Sequence, residues 1–161
     1  MELYFVRHGI AADQAPDGGG DAARALTEDG IERMRVAARG LRRLGVEPQV
    51  LLSSPYTRTR QTAELLASEL RQAVQLADPL MPGCSLAALE RTFAPFAHLQ
   101  RIMVVGHEPD FSEMIGDLTG GRVEMKKGAV CRVDFDRLVS GYATLIWMLP
   151  PRVLRELGER V

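Results

Sequence analysis

Hydrophobic and polar positions along the chain follow two rhythms. Leu3-Tyr4-Phe5-Val6 and Ile102-Met103-Val104-Val105 are short unbroken apolar runs, the pattern of strands buried on both faces of an α/β sheet. Val50-Leu51-Leu52 is a third such run, closed by Ser53-Ser54-Pro55. Between them the spacing changes to three and four. Ile31, Met34, Ala38 and Leu41 form one inward stripe of a helix, with a capping Thr27, acids at Glu28 and Asp29, Arg42 and Arg43 in the last turn and Gly45 as a stop. A second helix is expected from about Thr57 to Leu70, with Ala63, Leu66, Ala67 and Leu70 inward. A weak strand over Val74 to Leu76 precedes a helix capped by Ser85 and ended near Pro95. After Val105, Asp110 and Glu113 suggest a capping box for a helix that Gly120-Gly121 terminates. Ala129 to Phe135 and Tyr142 to Leu149 read as strands, and Pro150-Pro151 leads into a short amphipathic tail with Val153, Leu154 and Leu157.

The resulting order, β-α-β-α-(β)-α-β-α-β-β, predicts a three-layer α/β/α domain with a mostly parallel central sheet and helices on both faces. No repeat or linker divides the chain, so residues 1–161 are expected to form a single domain. One segment stands apart: Ile10 to Arg24 is rich in Asp, Gly and Ala and has little to bury. It is expected to be a mobile loop on the rim of the first strand's end.

Composition narrows the function classes. A formal net charge of -1 gives bulk electrostatics no reason to draw a nucleic acid or a membrane. The basic residues are 18 arginines against only Lys126 and Lys127, so individual arginines matter more than the total. Cys84 and Cys131 make no disulfide framework, and His8, His98 and His107 show no metal-ligand spacing; neither a metal nor a cofactor is expected. No secretory signal or bilayer-length apolar run is present, which makes a cytoplasmic location the default expectation.

The chemistry sits where strands end. The first strand runs into Arg7-His8-Gly9 and the later one into Gly106-His107-Glu108-Pro109. Carboxyl ends of strands in such sheets are where ligands bind. Arg58 stands at the entrance of the second helix, where free backbone N–H groups also favour an anion. Arg7 and Arg58 offer planar multidonor groups suited to phosphate oxygens, while His8 and His107 offer one group to attack and one to donate. Small Gly9 and Gly106 would let backbone approach a ligand closely. His98, with no reactive company, reads as a structural or surface residue.

The chain resembles the histidine phosphatase superfamily, and within it the small bacterial protein phosphohistidine phosphatases of the SixA type. Arg7-His8-Gly9, the segment Ser53-Ser54-Pro55-Tyr56-Thr57-Arg58-Thr59-Arg60-Gln61-Thr62-Ala63, and Val105-Gly106-His107 match three ordered motifs of that superfamily. The resemblance implies a phosphoglycerate-mutase-like fold. It also implies His8 as nucleophile through a covalent phosphohistidine, with Arg7, Arg58 and His107 binding the transferring phosphoryl group. Many relatives that act on small phosphate esters carry an acid in an inserted segment, and this chain is too short for one. Asp13, Asp17, Asp21 and Glu108 are the acids that could protonate a leaving group. An imidazole leaves without much help, so a phosphohistidine-containing protein is the favoured substrate. A small phosphorylated substrate cleaved by a phosphomonoesterase, and a non-enzymatic phosphate-binding or interaction protein, are the alternatives.

Overall fold

The computed structural model describes residues 1–160, apart from the side chain of Asp17. In chain order the elements are β1 (Glu2–Arg7), α1 (Glu28–Arg43), β2 (Val50–Ser53), α2 (Thr57–Leu70), β3 (Val74–Leu76), α3 (Leu86–Phe93), β4 (Arg101–Gly106), α4 (Asp110–Thr119), β5 (Val130–Phe135), β6 (Ala143–Leu149) and α5 (Pro151–Glu159). The six strands form one sheet in the order β3-β2-β4-β1-β5-β6. β1 to β4 run parallel; β5 is antiparallel to β1, and β6 to β5. The expectation of a three-layer α/β fold with a mostly parallel sheet therefore holds, the sheet being mixed through its last two strand pairings.

Alternation along the central strands divides the core. Leu3, Phe5, Ile102 and Val104 pack with Leu89, Phe93, Met114, Ile115 and Leu118, from α3 and α4. Tyr4, Val6, Met103 and Val105 face the other way, onto Met34, Leu41, Ala63, Leu66 and Leu154, from α1, α2 and α5. Burial on both faces explains why β1 and β4 are continuously apolar.

Register then positions the site. Val6 pairs with Val105 and Arg7 with Gly106, so His8 and His107 leave the sheet side by side. β2 pairs Ser53 with Val105, and Ser54 N–H donates to the Val105 carbonyl at 3.0 Å. Ser54 thus joins the two histidines at the same sheet edge.

Four local expectations change. Asp110 is a helical residue with no capping-box role; its Oδ2 accepts from the N–H groups of Gly83 and Cys84 at 2.8 and 3.1 Å. The C-terminal tail is a helix laid against α1. A Cβ on Gly40 would collide with the Leu154 carbonyl, and one on Gly158 with the Val36 carbonyl, so the two helices touch through backbone. The glycine-rich segment holds two short 3₁₀ turns, Pro16–Gly18 and Asp21–Ala23. An antiparallel bridge from Ala11 to Leu26 and a bond from Arg24 Nε to the Ala12 carbonyl (2.7 Å) close its base. Finally, Gly9 and Gly106 serve packing more directly than ligand approach. Met34 Cγ lies 2.6 Å from where a Gly9 Cβ would sit, and the buried Phe111 ring occupies the equivalent space at Gly106.

Candidate active site

His8 follows the last residue of β1 and is only 7% exposed. Its Nδ1 lies 2.7 Å from the carbonyl of Gly9. A carbonyl can only accept, so Nδ1 carries the hydrogen and Nε2 keeps its lone pair. Burial, helped by the positive charges of Arg58 and Arg7, pushes the His8 pKa down to about 3, although the Gly9 bond works in the opposite direction. The ring is therefore neutral at ordinary pH, with a defined tautomer and a free nitrogen.

Arg58, one residue into α2 and 5% exposed, covers that nitrogen. Its Nε donates to His8 Nε2 at 3.3 Å. Nη1 donates to the Asp21 carbonyl at 2.7 Å, and Nη2 to the Asp21 carboxylate at 2.9 Å. The Tyr56 ring lies under the guanidinium at 5.1 Å. The base of Arg58 is fixed too. Thr62 Oγ1 donates to the Arg58 carbonyl at 2.7 Å and accepts from the Gly9 N–H at 3.1 Å, so one hydroxyl ties α2 to the end of β1.

His107 lies beside His8, with ring centroids 5.6 Å apart. Its Nε2 lies 2.9 Å from Ser54 Oγ, and its Nδ1 is 3.5 Å from Arg58 Nη2. Arginine has only donors, so Nδ1 is the lone-pair nitrogen and Nε2–H donates to Ser54. Burial, with the Arg58 charge, lowers the His107 pKa to about 4. The His107 ring is therefore neutral at ordinary pH.

Arg7 is reached through its electrostatics. Its charge contributes to the His8 shift, and its Nη1 donates to the Met125 carbonyl at 2.7 Å. Its Nε is buried with no partner. A buried guanidinium N–H without an acceptor is unfavourable, and an oxyanion would satisfy it.

The four candidate acids separate. Asp21 reaches the site but is held ionised, its pKa lowered first by the Arg58 hydrogen bond and also by Arg24. Glu108 has both oxygens on Ser112, accepting from the backbone N–H at 3.2 Å and from Oγ at 2.5 Å. Asp13 is exposed on a depression it shares with Asp21. The side chain of Asp17 lies outside the described residues. His98 is exposed and remote from this cluster in the chain's layering. Among the described residues, no three His, Cys, Asp or Glu side chains form a metal-ligating group, and no helix is long and apolar enough to cross a membrane.

Sequence reasoning gave no role to Ser54, Tyr56 or Thr62. All three lie in the same Ser-Ser-Pro to Gln-Thr-Ala segment as Arg58, and their dense spacing around a cation was the available signal.

Comparisons with known proteins bear on this arrangement. A model of the histidine phosphatase superfamily (branch 1) matches residues 3–82. An uncharacterized protein of Picosynechococcus sp. is 42% identical over 140 residues, covering 81% of this chain and 82% of its own. The phosphohistidine phosphatase SixA of Escherichia coli is 26% identical over 157 residues, covering 94% of both chains. Among solved structures, the protein histidine phosphatase SixA complexed with tungstate superposes with a TM-score of 0.83 at 25% identity, covering 96% of this chain and 99% of that one. An α-ribazole phosphatase from Shigella flexneri shares the fold at a TM-score of 0.73 and 20% identity, covering 94% and 97%.

Proposed function

This chain belongs to the histidine phosphatase superfamily and is a phosphatase, and from that premise we propose that it removes a phosphoryl group from a histidine of a protein, with residues 1–161 working as one cytoplasmic domain. The observation that carries the reading is the His8 tautomer. Hydrogen bonding of Nδ1 to Gly9 leaves Nε2 with its lone pair, buried among cationic donors.

In the proposed reaction, Nε2 of His8 attacks phosphorus in line as the substrate's N–P bond breaks. The departing imidazole takes the bonding pair and a proton from water. Arg58, Arg7 and His107 hold the equatorial oxygens, where charge is greatest as the phosphoryl group transfers. Water then attacks the phosphohistidine, releasing inorganic phosphate and restoring His8. Binding of the anion raises the His107 pKa, so Nδ1 gains the proton with which it donates to a phosphate oxygen.

The choice of phosphohistidine rests on the acids. An alkoxide leaving group needs a proton. Among the described candidates Asp21 is ionised on Arg58 and Glu108 is engaged by Ser112. One observation favours a small phosphate ester instead: the Asp21 carboxylate lies on Arg58 at 2.9 Å, and a phosphoryl group that displaced it would remove the main cause of its lowered pKa.

Substrate comparison separates the two. Rapid alkaline quench during turnover of a phosphohistidine peptide is expected to trap acid-labile phosphate on His8, and His8→Ala to abolish both adduct and turnover. Cleavage should rank phosphohistidine first, aryl phosphate second and alkyl phosphate last. Equal kcat/KM on alkyl and aryl phosphates, with chemistry shown to be rate-limiting, would establish the ester reading.

A further inference from the structure

Beside the end of β1, a cleft of about 410 Å³ opens between the loop of residues 120–129 and helices α1 and α5. Five of its lining residues are cationic, namely Arg7, Arg33, Lys126, Lys127 and Arg155, against the single acid Glu124. Two of these charges are already matched: Arg33 pairs with Asp29 at 2.7 Å, and Lys126 pairs with Glu124. Lys127 and Arg155 enter no ion pair among the described residues, and Arg7 keeps a buried Nε without an acceptor. In a chain whose formal charge is -1, this is a local excess of positive charge.

The cleft is also rigidly coupled to the phosphoryl site. Gly128, at φ +82°, turns its N–H onto the carbonyls of both Arg7 and His8, at 3.1 and 3.0 Å. Arg7 N–H donates to the Ala129 carbonyl at 3.1 Å, and its side chain holds the Met125 carbonyl. The lysine pair is therefore anchored to Arg7 and His8, the two residues at the strand end that carry the nucleophile. A glycine is required at that turn because its backbone is left-handed.

We propose that this cleft is a docking subsite for a carboxylate-bearing segment of the phosphorylated protein. The proposal rests on the phosphohistidine reading and gives it a substrate class: phosphohistidine proteins with acidic residues near the modified histidine. The cleft accepts one or two Asp or Glu side chains, not a folded domain, and its exposed lysines can follow a mobile partner. Charge complementarity of this kind acts on encounter and specificity, and is weakened by salt. It also supplies binding away from the reacting atoms, where a protein substrate differs from a small one.

The test uses the intact chain with Lys127→Glu/Arg155→Glu, and with the milder Lys127→Gln/Arg155→Gln should the first fail to fold. Binding is read with a fluorescent dodecapeptide rich in Glu and Asp and lacking phosphate. Turnover is read on a phosphohistidine peptide flanked by Glu, on one flanked by Ser, and on free phosphohistidine. The expected result is a loss of at least about tenfold in acidic-peptide affinity and in kcat/KM on the Glu-flanked peptide, with free phosphohistidine within twofold of wild type. Equal losses on all three substrates, or unchanged acidic-peptide binding, overturn the subsite. A small bisphosphate ester is assayed alongside, and a loss confined to it assigns the cleft to a second phosphate and overturns the subsite as well. Should wild type cleave no phosphohistidine yet bind acidic peptide through Lys127 and Arg155, the substrate reading fails while the acidic docking surface stands.

Discussion

Arg58 Nε donates to His8 Nε2 across 3.3 Å, so the guanidinium rests on the lone pair proposed to attack phosphorus. With its other nitrogens on Asp21 and facing His107, the guanidinium has few free donors. On the proposed reading, phosphate binding would be an exchange, in which oxygens of the ligand replace protein acceptors and the same movement uncovers the nucleophile.

Arg58→Lys tests that exchange. Lysine keeps the charge but cannot address two oxygens through a planar fork while still reaching the histidines. The expected outcome is a loss of about 10²- to 10³-fold in kcat/KM on an aryl phosphate, the scale of removing a transition-state donor. Stability measured by denaturant unfolding should change little. Activity within threefold of wild type would show that charge alone suffices.

Asp21→Asn tests the other half. Asp21 competes with the ligand for Arg58, so removing its charge should tighten inhibition by inorganic phosphate by up to about fivefold, the scale of an exposed ion pair. Hydrolysis of phosphohistidine and aryl phosphates should persist. A selective loss on alkyl phosphates would identify Asp21 as the leaving-group acid, and weaker phosphate inhibition would reject the competition.

Much of this geometry was legible in the sequence because strand ends are. Unbroken apolar runs stopping at Arg7-His8 and at Gly106-His107 announced two buried strands, and the three ordered motifs implied that their ends share one site. Tertiary balance was not legible. Nothing in the composition of residues 10–24 said that Asp21 would return to grip Arg58, because that contact joins segments 37 residues apart in the chain. The tail was read as merely amphipathic. Its docking depends on Gly40 and Gly158 letting two helix backbones meet, and an isolated glycine in a helical pattern gives no hint of its neighbour. The capping box at Asp110 failed for a similar reason, since the carboxylate found the amides of Gly83 and Cys84, 26 and more residues away.

Acid should destabilise the anion-free protein through its two buried histidines. The unfolded chain protonates each near pH 6.5, whereas the folded chain does so only near 3 for His8 and 4 for His107. Between those values the unfolded state binds more protons, so stability falls as pH drops below 6.5, by about 1.4 kcal/mol per pH unit for each histidine. The His107 contribution levels off near pH 4 and that of His8 near 3. Denaturant unfolding between pH 7 and 4.5 should show a slope one proton shallower in His8→Asn than in wild type. Saturating phosphate should flatten the wild-type slope, because a bound anion favours the imidazolium. An unchanged slope in the variant would mean that His8 titrates normally in the folded state.

Ser54 and Arg58 together set which nitrogen of His107 carries the hydrogen. Its Oγ accepts the Nε2 hydrogen at 2.9 Å and also receives the Tyr56 N–H at 3.4 Å, so it acts as an acceptor toward the ring. That leaves Nδ1 bare in the free enzyme and ready to be protonated when an anion arrives. Ser54 is fully buried, so Ser54→Ala strands a ring N–H and should cost about 1–3 kcal/mol of stability. It also releases the tautomer. Ring nitrogen NMR should then show Nδ1–H appearing at the expense of Nε2–H, and kcat/KM on an aryl phosphate should fall by about tenfold or more. The loss should lie in kcat more than in KM, because the hydrogen bond that His107 gives to the transferring phosphoryl group matters most where charge develops. A stable Ser54→Ala protein with the wild-type tautomer and wild-type kcat would assign control of the ring to Arg58 alone.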